Sequence, residues 1–333
     1  MKIALTCNLK KKDTNLPADY FSEWDSEETI NAIAGALRSR GHSVDAIDVE
    51  YPGLFSYFRK NSVDMVFNIA EGKCGKFRES EVPAVLDYLN IPYTGSDTFS
   101  LALALNKALT KKILMAEGIP TPNFQVFSTG KEELSSALKF PLIVKPNCEG
   151  SAKGINKSNV VHNRIELTNK VKEIIEVYRQ EALVEEFIDG KELTVGILEN
   201  GLTRVLPILE IDFESCKNSG EYFYSWRMKE YQGNEELGLV PTFHCPARLD
   251  RDTEERVKDV VLRTHRAVGC TDISRTDIRL DKNGIPYVLE INPLPGLDPK
   301  ESNFPLMAYA AGMKYEDLIE AIVKSASERK KIN

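Results

Sequence analysis

SRTDIRLDKNGIPYVLEINP, residues 274–293, consists of two alternating apolar–polar runs on either side of Asn283-Gly284. That dipeptide between β-patterned runs predicts a hairpin closed by a two-residue type I′ turn. Directly opposed residues then carry numbers that sum to 567, so Asp277 faces Glu290 and Arg275 faces Asn292. The two-residue side-chain period puts all four on one face of the ribbon. Two carboxylates directly opposite each other repel, and a cation between them removes the penalty. Asp, Glu and Asn oxygens converging from two strands make a hard, oxygen-rich site suited to Mg²⁺ rather than zinc. A merely solvated face would leave the opposition of like charges unexplained. The hairpin is expected to hold metal.

Working outward, a long helix over about 250–268 precedes the hairpin and a closing helix near 315–326 follows it. Upstream, FQVF, PLIVKP, ALVEEFI, ELTVGIL and TRVLPILEI read as strands, with helices near 131–139 and 163–179. Asp189-Gly190 and Asn200-Gly201 predict hairpin turns, hence an α+β region with antiparallel pairing. LALALNKALTKKILMAEG (101–118) reads as one helix closed by Gly118 and stopped by Pro120 and Pro122. Before it, KIALT (2–6), SVDAIDV (43–49) and DMVFNI (64–69) alternate with helices at about 26–40 and 82–89, and IPYTG adds a short strand. Asp25 or Ser26 suits the N-cap of the first helix, with Gly41 just past its end. Such alternation predicts a parallel sheet covered on both faces. The polar stretch 213–241 lacks periodicity and reads as a long functional loop. The expected class is α/β: an N-terminal parallel-sheet domain over 1–104, then α+β lobes over 105–195 and 196–333.

The 333 residues, 42% hydrophobic and 28% charged, fit a soluble globular protein of two or three lobes. A net charge of −7 with dispersed Lys and Arg argues against nucleic acid and against a membrane surface. No apolar run nears the roughly 20 residues that span a bilayer. The start, MKIALTCNLKKK, reads as a strand and not a secretion signal. Cys7, Cys74, Cys148, Cys216, Cys245 and Cys270 include no C-x-x-C pair, which suggests free thiols in a cytoplasmic protein.

PLIVKPN (141–147) puts Lys145 at the end of an apolar strand, either snorkelling or aimed at an anion. CEGSAKGI (148–155) follows, a glycine-rich loop whose N–H groups can wrap a phosphate or form a plain surface turn. GKCGKF (72–77) lacks the Walker spacing and no strand leads into G-x-G-x-x-G, which disfavours a P-loop or dinucleotide fold. In EEFIDGKELTV (185–195), Glu185 and Glu192 read on their own as surface charges.

Taken together, FNIAEG…RESEVPAVLDYLNIPYTGSDTFSLALALNKALTKKIL, LIVKPNCEGSAKGI, LVEEFIDGKELTVGIL, SRTDIRLDKNGIPYVLEINPLPGL and FPLMAYAAGMKYEDLI resemble D-alanine–D-alanine ligases and their relatives in the ATP-grasp superfamily, over about residues 62–326. The resemblance implies a three-lobed fold gripping ATP between its central and C-terminal lobes. It implies that Lys107 and Lys145 meet the phosphates. Glu185 and the backbone near Phe187 and Ile188 would meet adenine, and Glu192 the ribose. Asp277, Glu290 and Asn292 are implied to hold two Mg²⁺, which Mn²⁺ can replace. Arg275 and the Gly296 N–H would stabilise a tetrahedral oxyanion, and Ser151 lies in a loop that closes over the phosphates. The chemistry implied is attack of a carboxylate on the γ-phosphate, then of an amine on the acyl phosphate, with release of ADP and phosphate. The partners implied are small-molecule substrates, with a homodimer as the common assembly among relatives.

The substrate side departs from the family. Its opening G-G-x-S-x-E segment is replaced by CNLKKKDTNLPADYFSEWDSEE, where Glu23 and Glu27 are the acidic candidates. Glu71 stands in place of a histidine, Ala152 and Lys153 alter the phosphate loop, and Glu230 follows Lys229 where a tyrosine is usual. Ser302 matches a substrate-binding serine after one inserted residue. The expectation is family chemistry on an amino-acid or peptide-like pair other than D-alanine with itself. Lys153 and Lys229 would suit an acceptor richer in negative charge. A genuine D-alanine–D-alanine ligase and an inactive ATP-binding regulator are the alternatives.

Overall fold

The computed structural model describes residues 1–11, 16–50, 53–73 and 75–330; Cys74 lies outside the described residues. The chain opens with β1 (Lys2–Cys7), α1 (Glu27–Ser39), β2 (Ser43–Asp48), α2 (Leu54–Lys60), β3 (Met65–Asn68) and α3 (Glu81–Leu89). The strands form a parallel sheet in the order β2-β1-β3. Ile3, Leu5 and Cys7 pack with α1 on one face. Ala4 and Val66 pack with α2 and α3 on the other. Burial on both faces is why these strands read as continuous apolar runs. Ser26 caps α1 by accepting from the Thr29 N–H. The strand expected in IPYTG shrinks to a single bridge between Val66 and Tyr93.

The helix expected over 101–118 is two helices, α4 (Thr98–Leu105) and α5 (Lys107–Ala116). Asn106 leaves the helical region (φ −86°, ψ 93°) and caps α5 by accepting from the Leu109 N–H. The break makes Lys107 the first residue of α5. A four-stranded antiparallel sheet follows, built from β4 (Phe124–Phe127), β5 (Leu142–Pro146), β6 (Val160–Val161) and, after α6 (Arg164–Tyr178), β7 (Ala182–Glu186), in the order β4-β7-β5-β6. Leu167, Val171 and Ile174 of α6 cover its back. No helix forms over 131–139. Side chains take the backbone donors there, as where the Ser135 N–H donates to Gln125 Oε1 at 2.8 Å.

The last sheet contains β8 (Gly190–Asn200), β9 (Leu202–Val205), β10 (Leu209–Asp212), β11 (Thr242–His244), β12 (Ile273–Asp281) and β13 (Pro286–Asn292). Its order is β11-β10-β8-β12-β13, with β9 also paired to β8. Helices α7 (Trp226–Glu230), α8 (Arg251–Val268), α9 (Asn303–Ala310) and α10 (Tyr315–Lys330) complete the chain. Leu318, Ile319 and Ile322 of α10 share a core with β1 and α1, tying the C-terminus to the first sheet. Asn200-Gly201 does close a hairpin, with Asn200 paired to Leu202. Asp189-Gly190 does not, because β7 and β8 belong to different sheets. Gly190 (φ 151°) passes so close to β12 that a Cβ would lie 2.0 Å from the Leu280 carbonyl oxygen. The stretch 213–241 is ordered by α7 and by a small core of Cys216, Met228 and Leu239.

Candidate active site

The hairpin β12–β13 turns through three residues rather than two. The Asp281 N–H donates to the Ile285 carbonyl (3.1 Å), and Gly284 sits at φ 73°. The pairing is therefore one residue out from the expected register near the turn, Ile278 opposing Val288. A bulge between Asp277 and Ile278 absorbs the difference, so Asp277 opposes Glu290 and Arg275 opposes Asn292.

Protein cations meet the opposed carboxylates. Arg275 binds Asp277 bidentately, Nε to Oδ1 at 3.0 Å and Nη2 to Oδ2 at 2.9 Å. The Thr194 hydroxyl on β8 donates to Asp277 Oδ1 at 2.6 Å. Lys107, at the head of α5, lies 2.8 Å from Glu290 Oε2. Burial alone would raise the Glu290 carboxyl, but Lys107, Lys145 and Arg275 outweigh it and hold the group at about 2. Both carboxylate side chains keep about a quarter of their surface open, 24% and 26%. With Asn292 opposite Arg275 on the same hairpin, the donor set is oxygen only and reachable. It fits a hard divalent cation.

Lys107, Thr194, Arg275, Asp277 and Glu290 line a cleft between the two antiparallel sheets. Ile143, Ile155, Phe187, Ile188 and Phe223 give it apolar walls, and Lys107, Lys145, Glu192 and Lys229 also border it. Glu185 reaches the cleft but is fully buried. Its carboxylate lies between Lys111 (2.8 Å) and Lys145 (2.5 Å), so it is aimed at two ammonium groups and not at an adenine. Burial would raise the Glu185 carboxyl, yet the two lysines hold it below the ordinary value. Burial and Lys145 together push Lys111 down to about 8. Glu192 pairs with Arg279 at 3.0 Å. The same guanidinium donates to the Ile188 carbonyl at 2.9 Å and lies 5.1 Å from the centre of the Phe187 ring. Lys111 and Arg279 were missed in the sequence, although each had a signal. Lys111 is four residues after Lys107 on one helix, and Arg279 is two after Asp277 on one strand face.

The loop after β5 holds Ser151 and Ala152 at left-handed φ of 49° and 55°. Its N–H groups already serve carboxylates of the N-terminal segment: Gly150 donates to Glu23 Oε1 (2.7 Å) and Gly154 to Asp19 Oδ2 (2.9 Å). Lys153 pairs with Glu149 at 2.7 Å and Glu23 at 3.4 Å. It offers no free positive charge to an acidic acceptor, contrary to the sequence expectation. Glu23 also pairs with Arg78, the two nearest atoms 2.5 Å apart.

A second cavity adjoins the first, and Tyr224, Lys229, Arg275 and Asn303 border both. Asn292, Gly296, Ser151 and Ser302 line it together with Glu23, Asp25 and Glu71 of the first domain. Gly296 lies against Ser302, whose Oγ would be 2.8 Å from any Cβ added there. Lys229 is pushed below its ordinary value by desolvation and Arg275. Burial and Asp298 raise the Asp25 carboxyl to about 7. Since that exceeds the unfolded value of about 3.9, Asp25 subtracts stability progressively as pH rises from about 4 towards 7. Asp25→Asn is accordingly expected to raise the melting temperature by several degrees at pH 8 and clearly less at pH 5. An equal shift at both would count against the assignment.

The profile of the D-ala D-ala ligase C-terminus domain matches residues 113–324. A D-alanine–D-alanine ligase of Carboxydothermus hydrogenoformans is 34% identical over 307 residues, covering 90% of this chain and 92% of that one. An uncharacterized protein of Sinorhizobium fredii, y4sG, is also 34% identical, covering 92% of this chain and 89% of its own. The Bacillus anthracis D-alanine–D-alanine ligase solved with ATP superposes with a TM-score of 0.78 at 26% identity, over 100% of this chain and 99% of that one. With two antiparallel sheets enclosing the cleft and a parallel-sheet domain closing the second cavity, the chain belongs to the D-alanine–D-alanine ligase-like ATP-grasp family, and is an ADP-forming ligase.

Proposed function

We propose that this ligase binds Mg-ATP in the cleft between the two antiparallel sheets and joins a carboxylate to an amine in the adjoining cavity, within lobes spanning 1–104, 105–195 and 196–333. The observation that carries this reading is the shared border at Arg275 and Lys229, where a triphosphate end would open directly onto a second substrate space. Phe187 and Ile188 would flank the base, and Glu192 would face the ribose. Lys107 and Lys145 would neutralise phosphate oxygens, with Glu185 holding Lys145 in place.

Asp277, Glu290 and Asn292 would hold Mg²⁺, which supplies charge neutralisation of the phosphates when bound. Arg275 and Lys107, now resting on the same carboxylates, are placed to turn towards phosphate oxygens as the site fills. A substrate carboxylate oxygen attacks the γ-phosphorus and ADP departs, giving an acyl phosphate. The amine then attacks the acyl carbon and phosphate leaves. Arg275, at the border, and the Gly296 N–H, in the second cavity, would donate to the oxyanion of that second step. The 150–154 loop, with Ser151, would exclude water from the acyl phosphate.

The substrate pair is proposed to differ from D-alanine with D-alanine, because Glu23, Glu71 and Lys153 change the character of the second cavity. The y4sG match supports an open assignment, while the ligase matches favour the D-alanine reading. Phosphate release from Mg-ATP across D- and L-amino acids, alone and in pairs, with mass spectrometry of products, decides between them. A new amide with one ADP per product is expected. Efficient dipeptide formation from D-alanine alone would favour the D-alanine ligase, and ATP hydrolysis indifferent to any amine would overturn the ligase reading.

A further inference from the structure

Glu23, Glu71 and Glu79 each bring a carboxylate oxygen within 4.8 Å of the others. They come from the segment before α1 and from the stretch between β3 and α3, and Glu23 and Glu71 line the second cavity. Only part of this charge is balanced. Arg78 and Lys153 lie among Glu23 and Glu149, at 2.5 and 3.5 Å for Arg78 and at 3.4 and 2.7 Å for Lys153. Two cations therefore match two carboxylates. Lys107 is taken by Glu290, and Arg275 by Asp277. Glu79 is only 7% exposed, and among the described residues neither it nor Glu71 has a hydrogen-bond or ion-pair partner through its side chain. Without a ligand, burial and mutual repulsion favour a proton on the pair: Glu79 is raised to about 7 by burial and Glu23, and Glu71 goes well above the carboxylate range by burial and Glu79.

An amino acid with an uncharged side chain brings one α-ammonium, which matches one carboxylate and leaves the proton on the other. A second ammonium would displace that proton and pair both carboxylates in a site where an unpaired buried charge is costly. We propose that the second cavity selects, as the substrate whose carboxylate is activated, a diamino acid whose two ammonium groups are bound as a pair by Glu71, in the cavity lining, and by Glu79, whose carboxylate lies within 4.8 Å of it. This deepens the ligase reading and rests on it. Arg78 and Lys153 keep Glu23 and Glu149 neutralised as a group, leaving Glu71 and Glu79 for the ligand.

The test compares diamino acids (2,4-diaminobutyrate, ornithine, lysine, in both enantiomers) with their uncharged isosteres (norvaline, norleucine, 2-aminoheptanoate) as the carboxylate substrate in the Mg-ATP assay, against the same panel of amines. At least one diamino acid is expected to exceed its isostere at least 30-fold in kcat/KM. Glu71→Gln and Glu79→Gln should each reduce that preference tenfold or more. Neither variant should melt below wild type, since each removes like-charge repulsion. Calorimetric binding of the preferred diamino acid to protein loaded with a non-hydrolysable ATP analogue should weaken tenfold in Glu71→Gln, with proton release on binding at pH 7. Isosteres used as well as diamino acids would overturn the inference and leave the ligase reading standing. Turnover with no amine of any kind would overturn the ligase reading, and the binding titration would then judge the cavity alone. No binding, or binding unchanged in Glu71→Gln, rejects the inference, as does Ca²⁺ alone occupying the carboxylates and displaced by neither ammonium.

Discussion

Replacing Arg275 by methionine is expected to lower kcat by about 10²–10³, the loss typical when a donor to a developing oxyanion is removed. The guanidinium stands where the two cavities meet and is held by both oxygens of Asp277. Methionine retains much of the apolar stem, so packing against Tyr224 and β8 should survive. Asp277 keeps its hydrogen bond from Thr194 and is about one-quarter open, 24%, so it does not become an isolated buried charge. Melting should therefore shift by only a few degrees while turnover collapses. KM for ATP should change less than threefold, because the contacts proposed for base and ribose lie further along the cleft. Arg275→Lys should fall between, since an ammonium restores charge without the planar two-pronged geometry. Measured kcat within threefold of wild type for Arg275→Met would remove Arg275 from the chemistry.

The hairpin shows what a sequence can and cannot carry. Alternation around Asn283-Gly284 was enough to place Asp277 opposite Glu290, although both the turn length and the ladder between differ from expectation. The three-residue turn shifts the register by one and the bulge shifts it back. Had the bulge been absent, Asp277 would have faced Leu289, and the carboxylates would have pointed to opposite sides. Side-chain alternation is a local signal that survives on each side of a bulge, whereas the bulge itself leaves no mark in composition. The first sheet was similarly legible, because strands buried on both faces must be apolar throughout. The break at Asn106 was not, since a side-chain cap inside an apolar, alanine-rich run is compatible with a continuous helix until Asn147 claims the same amide through a 3.1 Å contact.

The second cavity was the least legible part, for a reason that is electrostatic rather than conformational. Lys153 looked like a free positive charge in the sequence, and only the fold brings Glu149 and Glu23 against it. Glu23 and Arg78 are 55 positions apart, Thr29 and Asp298 269 apart, yet each pair is in contact. No periodicity links such residues, because they sit on separate segments whose approach is set by the packing of α1 and α10 on the first sheet. The sign of a pocket depends on which charges are already paired, and pairing across lobes is information that only the tertiary structure holds.

Replacing Glu185 by glutamine is expected to cost about 3–5 kcal/mol of stability, the range for removing one partner from a buried ionic group. Glutamine keeps the shape but leaves the Lys111 and Lys145 ammonium groups, 1% and 7% exposed, facing each other without a counter-ion. Deprotonation is the cheapest relief, and Lys111 is already pushed down to about 8 with the carboxylate present. A lysine whose folded value lies below its unfolded one loses stability as pH falls through the interval between them. The variant's deficit should therefore grow from pH 9 to pH 6. Adding Lys111→Met to Glu185→Gln removes one of the two repelling charges and should recover half or more of the loss, a coupling of at least about 1 kcal/mol in a double-mutant cycle. ATP affinity should fall about tenfold or more in the single variant, because Lys145 depends on Glu185 for its direction. If chemical unfolding at pH 7 placed Glu185→Gln within about 1 kcal/mol of wild type, with no growth of the deficit at pH 6, the three groups could not be the isolated charged triad that their distances describe.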